Sequence, residues 1–239
     1  MSLLDPQCLN KDEITVIGAA TGRGKTTFAV NLAVELISAG RRVLFIANEA
    51  TRTDVATHVA CLQLGFNPNT FKAGSLLQAN VSAIINQVRV ITNLSVIALD
   101  YRNDPRWVTA VECVVALIKS ANEKYDAIIF DYYQLIQQSL SNPSLQPHQV
   151  HDQFAADLLS VLRNNGVIPI VLMGNVANSG FAFPNRFNGG RNILNVSSNT
   201  FELTSNYANQ TLDLICHKAR FGPLFGTTKT LIYQNGRLT

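Results

Sequence analysis

The chain has 239 residues, 47% of them hydrophobic, with 19 basic and 16 acidic side chains and a formal charge of +3; one domain with a full core is the expectation. A pI of about 8.7 permits a nucleic-acid partner without arguing for one. There is no apolar run of about 18 residues to span a membrane, and the opening MSLLDPQCLNKDE has no basic region followed by an apolar one, so a cytoplasmic protein without a membrane partner is expected, of bacterial, plasmid or viral origin.

Taken in chain order, residues 1–12 read as a short N-terminal arm and residues 13–239 as a single domain. EITVIGAA (13–20) is an apolar strand, followed by a small Gly-rich loop and a helix from Thr26 to Ala39. RRVLFIANE (41–49) is a strand, 53–64 a helix ending at Gly65, SVIALD (95–100) a strand, and 106–124 a helix after Pro105. YDAIIFDYY (125–133) and GVIPIVLMG (166–174) are strands with a helix at about 150–164 between them. Short apolar strands spaced by helices predict an α/β fold, a mostly parallel central sheet with helices on both faces. FELTSNY, QTLDLICHKAR and TTKTLIYQNGRL follow as three strands joined by short turns, so the C-terminal end of the sheet is expected to be antiparallel. Two stretches fit no regular element: 138–149, a polar loop, and 178–199, Gly- and Asn-rich and carrying Phe181, Phe183, Phe187, Arg186 and Arg191. Loops of that length in a compact domain are usually functional or disordered.

The four cysteines are scattered without a CxxC pair, and the four histidines have no ligand spacing. Reduced, mostly buried thiols are the expectation, with no metal held by thiolate or imidazole.

IGAATGRGKTTFAVNLA (17–33) combines a strand, a Gly-rich turn ending in Lys-Thr-Thr, and a helix, which together define a phosphate-binding loop. Its residues Ala20, Thr21, Gly22, Arg23, Gly24, Lys25, Thr26 and Thr27 are the expected nucleotide-binding set. Backbone N–H groups converge on the phosphates at a positive helix terminus, Lys25 reaches the β/γ oxygens, and the Thr26 hydroxyl binds Mg²⁺. The usual first glycine of such loops is Ala19 here. Mg²⁺ needs a second anchor, and Asp131 closes the apolar run Ala127–Phe130. Glu49, at the end of the strand after the loop helix, is the expected group for orienting or deprotonating water, because adjacent parallel strands open their carboxyl ends on one crevice.

With those residues in place the chain resembles the RecA-like core of the DnaB-type hexameric replicative helicases over about residues 13–239. AATGRGKTTFA is similar to that family's Walker A, alanine included. VLFIANEATRTDVATHVA resembles the segment carrying its catalytic glutamate, DAIIFDYYQLI its Walker B, and ICHKARFGPLFGT its K-x-R-x-G-P segment. The resemblance implies a RecA-like P-loop NTPase using ATP, or another NTP, with Mg²⁺. It implies a homo-hexamer with sites at subunit interfaces, in which Lys218 and Arg220 reach the neighbour's nucleotide. Their i, i+2 spacing on a strand predicts that both project to one face. That family has a Gln after its fourth core strand; Gly174 and Asn175 stand here, and Asn175 is the candidate γ-phosphate sensor. The family's N-terminal domain and linker helix are not expected in so short an upstream segment.

In such rings, loops beyond the core strands hold single-stranded nucleic acid. The 178–199 stretch matches that place, with Arg186 and Arg191 for phosphates and Phe187 either stacking on bases or packing the loop down. The functional expectation is therefore a motor on single strands, DNA rather than RNA. The alternatives are a regulatory NTPase that switches a protein partner and a viral genome-packaging NTPase.

Overall fold

The computed structural model describes residues 2–47, 50–98, 110–121, 124–136, 139–165, 169–177, 183, 185, 187, 191–206, 208–220 and 223–239. Strand β1 (Ile14–Ala19) is buried along its whole length and leads through the Gly-rich loop into α1 (Lys25–Ser38). Strand β2 (Val43–Ala47) is likewise fully buried. Helix α2 (Arg52–Gln63) follows it, started by a reciprocal capping box in which Thr51 and Asp54 satisfy each other's backbone amides. Then come α3 (Pro68–Lys72), α4 (Gln78–Val90) and β3 (Leu94–Ala98). Helix α5 (Val111–Ala121), β4 (Ala127–Asp131) and a 3-10 turn at Tyr133–Leu135 precede α6 (Pro147–Asn165) and β5 (Ile170–Asn175). The chain closes with α7 (Arg191–Val196), β6 (Asn199–Asn206), β7 (Thr211–Ala219), β8 (Thr228–Gln234) and β9 (Arg237–Leu238).

These strands form a 9-stranded sheet in the order β3-β2-β4-β5-β1-β6-β7-β8-β9. Every pairing from β3 across to β6 is parallel, and those from β6 to β9 are antiparallel. The mixed α/β expectation holds, and so does the antiparallel C-terminal end: β6 runs parallel beside β1, and β7, β8 and β9 follow it antiparallel.

Side chains of β1 and β4 alternate between two cores, as the period of two requires. Ile17, Ala19, Ala127 and Ile129 join α1 residues Phe28 and Leu32 on one face. Ile14, Val16, Ile128 and Phe130 join α5 and α6 residues such as Ile118 and Phe154 on the other. The expected arm is part of the first core: Leu3, Leu4 and Cys8 are buried there, and Glu35 on α1 accepts from the Leu3 amide at 2.7 Å. Burial pushes the Cys8 thiol up to about 12, with Asp5 adding to the effect. All four cysteines are free, and Cys113 alone is not fully buried.

Candidate nucleotide site

The loop from Ala20 to Gly24 takes its shape from two glycines. Gly22 has φ 74° and Gly24 φ 86°, a left-handed backbone in which a side chain is strained. Gly24 also precedes the first residue of α1, and a Cβ there would lie 3.2 Å from Leu212 Cδ1. Ala19 is a buried β1 residue on the core side, so a methyl group stands where such loops usually carry glycine. Lys25 Nζ donates back to the Ala19 and Ala20 carbonyls, both at 3.3 Å, and lies 6.0 Å from the Tyr132 ring centre. Arg23 reaches the Ser205 carbonyl at 3.5 Å and its hydroxyl at 3.4 Å, tying the loop to β6.

Asp131 is the last residue of β4, and only β5 separates β4 from β1. By the alternation that sends Ala127 and Ile129 to the α1 side, the Asp131 carboxyl takes that side too, towards the helix that begins with Lys25 and Thr26. It is buried. The Asp131–Tyr132 peptide is cis. Asn175 ends β5, pairs with Ala19, and borders the cleft beside the phosphate loop; its carbonyl accepts from Gln134 Nε2 at 3.4 Å. Glu49 lies outside the described residues. Ala47, two positions before it, pairs with Asp131.

The cleft over this loop has a volume of about 890 Å³. One end is lined by Thr21, Gly22, Gly24, Lys25, Thr26, Thr27 and Tyr132. The other end has no signal in the local sequence: Asn67 and Asn69 at α3, Ser205, Asn206, Gln210, Thr211 and Leu212 of the β6–β7 hairpin, and Tyr233, Asn235 and Leu238 of the last hairpin. Long-range contacts assemble that wall. Buried Asn31 on α1 donates to the Gly236 carbonyl at 3.0 Å and accepts from the Leu238 amide at 3.0 Å, so the phosphate-loop helix itself holds the C-terminal hairpin. Gly236 has no Cβ because one would meet Pro68 Cδ at 2.5 Å.

The donors fit a nucleoside triphosphate. Backbone amides, one lysine and a helix terminus form one end, and only neutral side chains line the other. Among the described residues no cluster of three or more His, Cys, Asp or Glu exists. A Mg²⁺ that keeps waters and takes phosphate oxygens needs none, and Thr26 with Asp131 is the donor pair that suits it.

The basic pair lies at the other end of the sheet. Arg220 is exposed, and its amide donates to the Ser198 carbonyl at 2.9 Å, while the Ser198 amide donates to the Ile14 carbonyl at 2.8 Å. Arg220 is thus level with the start of β1, whereas the phosphate loop leaves its end. Lys218 Nζ donates to the carbonyls of Leu194 at 2.7 Å and Asn195 at 3.0 Å, in the last turn of α7. Burial, and then the charge of Arg220, hold its pKa below the usual lysine value. A register shift lies just before the pair: Thr200 pairs with Lys218 but Phe201 with Cys216, while Asn199 pairs with Ala219 in step. His217 is the extra residue of a bulge, so His217 and Lys218 both address the α6–α7 side.

Of the residues expected to meet nucleic acid, Arg186 lies outside the described residues and Arg191 opens α7. Phe187 is buried in the second core, its ring 6.1 Å from that of Tyr133 and nearly parallel. The ring therefore takes the packing role and is not open to stacking on a base.

No curated protein matches the chain. Among solved structures, the ATPase domain of G40P is similar at 15% identity with a TM-score of 0.77, over 95% of this chain and 84% of that one. A DnaB-like replicative helicase, described with its primase interactions, is similar at 14% identity and TM-score 0.78, over 96% of this chain and 57% of that one. The RadB recombinase is similar at 12% identity and TM-score 0.62, over 96% and 91%. These likenesses carry the RecA-like fold. Residues 4–178 match the family described as DnaB-like helicase C terminal domain, and the chain belongs to that family.

Proposed function

We propose that the chain is the ATP-hydrolysing core of a ring-forming motor on single-stranded DNA, its separated site halves meeting for hydrolysis at a subunit interface. The observation that carries this reading is that separation. β1 runs from Ile14, beside Arg220, to Ala19, beside the phosphate loop, about 16 Å at ~3.3 Å per residue. That separation supports a basic group serving a nucleotide on another chain, through head-to-tail contacts of the kind that form a ring when the rotation closes.

Within one chain, the loop amides and Lys25 bind and orient the triphosphate, and Thr26 and Asp131 hold Mg²⁺. Bound Mg²⁺–ATP supplies the β–γ anhydride to be cleaved. Glu49 accepts the proton of the attacking water, Asn175 reads the γ-phosphate from beside Ala19, and Arg220 of an adjoining chain neutralises charge on the transferred group. Arg186 and Arg191 hold the backbone of the single strand in the channel.

The test is hydrolysis by the full chain with and without single-stranded DNA, with Lys25→Ala as the blank. Stimulation by single strands, rising with protein concentration, is expected. Hydrolysis that ignores nucleic acid but responds to a protein partner would replace the motor with a regulatory NTPase.

A further inference from the structure

Two glycines stand side by side in the middle of the sheet, Gly18 on β1 and Gly174 on β5. Gly174 comes one residue before Asn175, which borders the cleft, and Gly18 one residue before Ala19, the last residue of β1. Neither is needed for a left-handed backbone, since neither is among the residues with positive φ. What they provide is space. A Cβ on Gly174 would lie 2.5 Å from Phe187 Cζ and 3.0 Å from Gln134 Nε2, and one on Gly18 would lie 2.8 Å from Val176 Cγ2, 3.0 Å from Phe183 Cε2 and 3.1 Å from Phe187 Cδ2. The missing side chains make a slot in which two rings rest on bare strand backbone.

The rings connect elements that the proposed motor uses separately. Phe187 stacks on Tyr133 at 6.1 Å and 20°, two residues after Asp131. Phe183 meets Phe187 edge-on at 5.9 Å and stacks on His217 at 4.4 Å and 28°. His217 Nε2 lies 3.1 Å from Glu202 Oε2, and the next residue is Lys218, bonded to the end of α7. The bulge between Thr200 and Phe201 is what turns His217 towards Phe183. From the metal-anchoring strand end to the strand carrying the basic pair, the path is continuous and packed.

We infer that Phe183 and Phe187 are positioning residues that carry a change at the chain's own phosphate site, through Tyr133, to His217 and the strand bearing Lys218 and Arg220. The inference rests on the proposed nucleotide site. It goes beyond it by assigning the communication between a bound nucleotide and the group offered to the adjoining chain to a two-ring bridge over a glycine slot.

The experiment uses the full chain with Mg²⁺ and an ATP analogue carrying an imido bridge between the β and γ phosphates. Affinity is measured by titration, folding by the thermal midpoint, and His217 by its ring Cε1–Hε1 NMR signal, assigned from its absence in His217→Gln. In the wild type the analogue moves this signal, because Phe183 lies on the imidazole face. In Phe187→Leu and in Gly174→Ala, affinity stays within about threefold, since both changes lie outside the cleft wall, but the movement is lost. The double variant Gly174→Ala/Phe187→Leu separates a relay from mere packing. The leucine vacates the space that the new methyl takes, so the thermal midpoint recovers relative to Gly174→Ala while the signal stays still. Should either single variant fail to fold, the double variant carries the test. A His217 signal that ignores nucleotide in the wild type, or moves equally in the folded variants, overturns the inference. A wild type that binds no analogue overturns the nucleotide site, and the relay with it.

Discussion

Replacing Arg220 by alanine distinguishes a shared site from a self-contained one, because the two cases differ by orders of magnitude. Arg220 lies level with Ile14 through Ser198, about 16 Å of strand from the phosphate loop at ~3.3 Å per residue. Acting on its own chain's nucleotide through solvent, a charge at that distance contributes 332/(80 × 16), about 0.3 kcal/mol before salt screening, or less than about twofold in rate. Acting at close range on a neighbour's nucleotide, an arginine finger contributes ~10³–10⁵. Arg220→Ala should therefore bind ATP as the wild type does and hydrolyse at least ~10³-fold more slowly. Mixing it with Lys25→Ala, itself inactive, should restore activity at about one interface in four of a random equal mixture, where an intact loop meets an intact finger. Steady-state phosphate release over a protein dilution series, for each variant and for the mixture, is the assay. Turnover per chain that is independent of concentration, together with no recovery on mixing, would refute the shared site.

What the sequence revealed and what it hid follow from the range of the interactions involved. The phosphate loop is legible because its geometry is local: Gly22 and Gly24 sit at positive φ between a strand and a helix. Asp131 is legible because a period of two carries its carboxyl to the face of Ala127 and Ile129. Helices α3 and α4 are not, since among α4 residues only Ile84 is buried and no strong apolar stripe marks it. The parallel course of β6 is hidden because it depends on α7 bringing the chain back beside β1, within a stretch that reads as a loop. The far wall of the cleft joins Asn67 to Asn235 through Asn31 and the missing Cβ of Gly236, contacts with no local signature. The fate of Phe187 turned on two glycines of other strands. Gly174, where the related helicases are expected to carry a polar residue, is there because a ring fills its place.

Glu49→Gln should bind ATP and Mg²⁺ but release phosphate at least ~10²-fold more slowly, the usual worth of a general base; equal losses in binding and turnover would make Glu49 structural. Arg186→Ala combined with Arg191→Ala should weaken single-strand binding and lower the slope of log affinity against log salt by about 1.4, at ~0.7 per phosphate contact, measured by fluorescence anisotropy; an unchanged slope removes the loop from the channel. The last prediction concerns Glu112 on α5, which holds the segment after the Tyr133–Leu135 turn. Its carboxylate accepts from Ser139 Oγ at 2.7 Å, the Leu140 amide at 2.9 Å, the Ser141 amide at 3.0 Å and Ser141 Oγ at 2.6 Å. Burial opposes the charge, yet the bonds from Ser139, Ser141 and Leu140 prevail and bring the pKa down to about 2. A carboxyl whose pKa is depressed by folding stabilises the fold above its unfolded value and loses that contribution as pH falls through the folded one. With the group partly open to solvent, the full linkage value must be reduced, leaving ~1–2 kcal/mol at neutral pH. Glu112→Gln should therefore lower unfolding free energy by that amount at pH 7. The difference from wild type should shrink as pH falls from the ordinary glutamate range towards 2. Denaturant unfolding at stepped pH measures it. A gap that stays constant down to the acid end would mean that Glu112 acts through packing, with its charge contributing nothing.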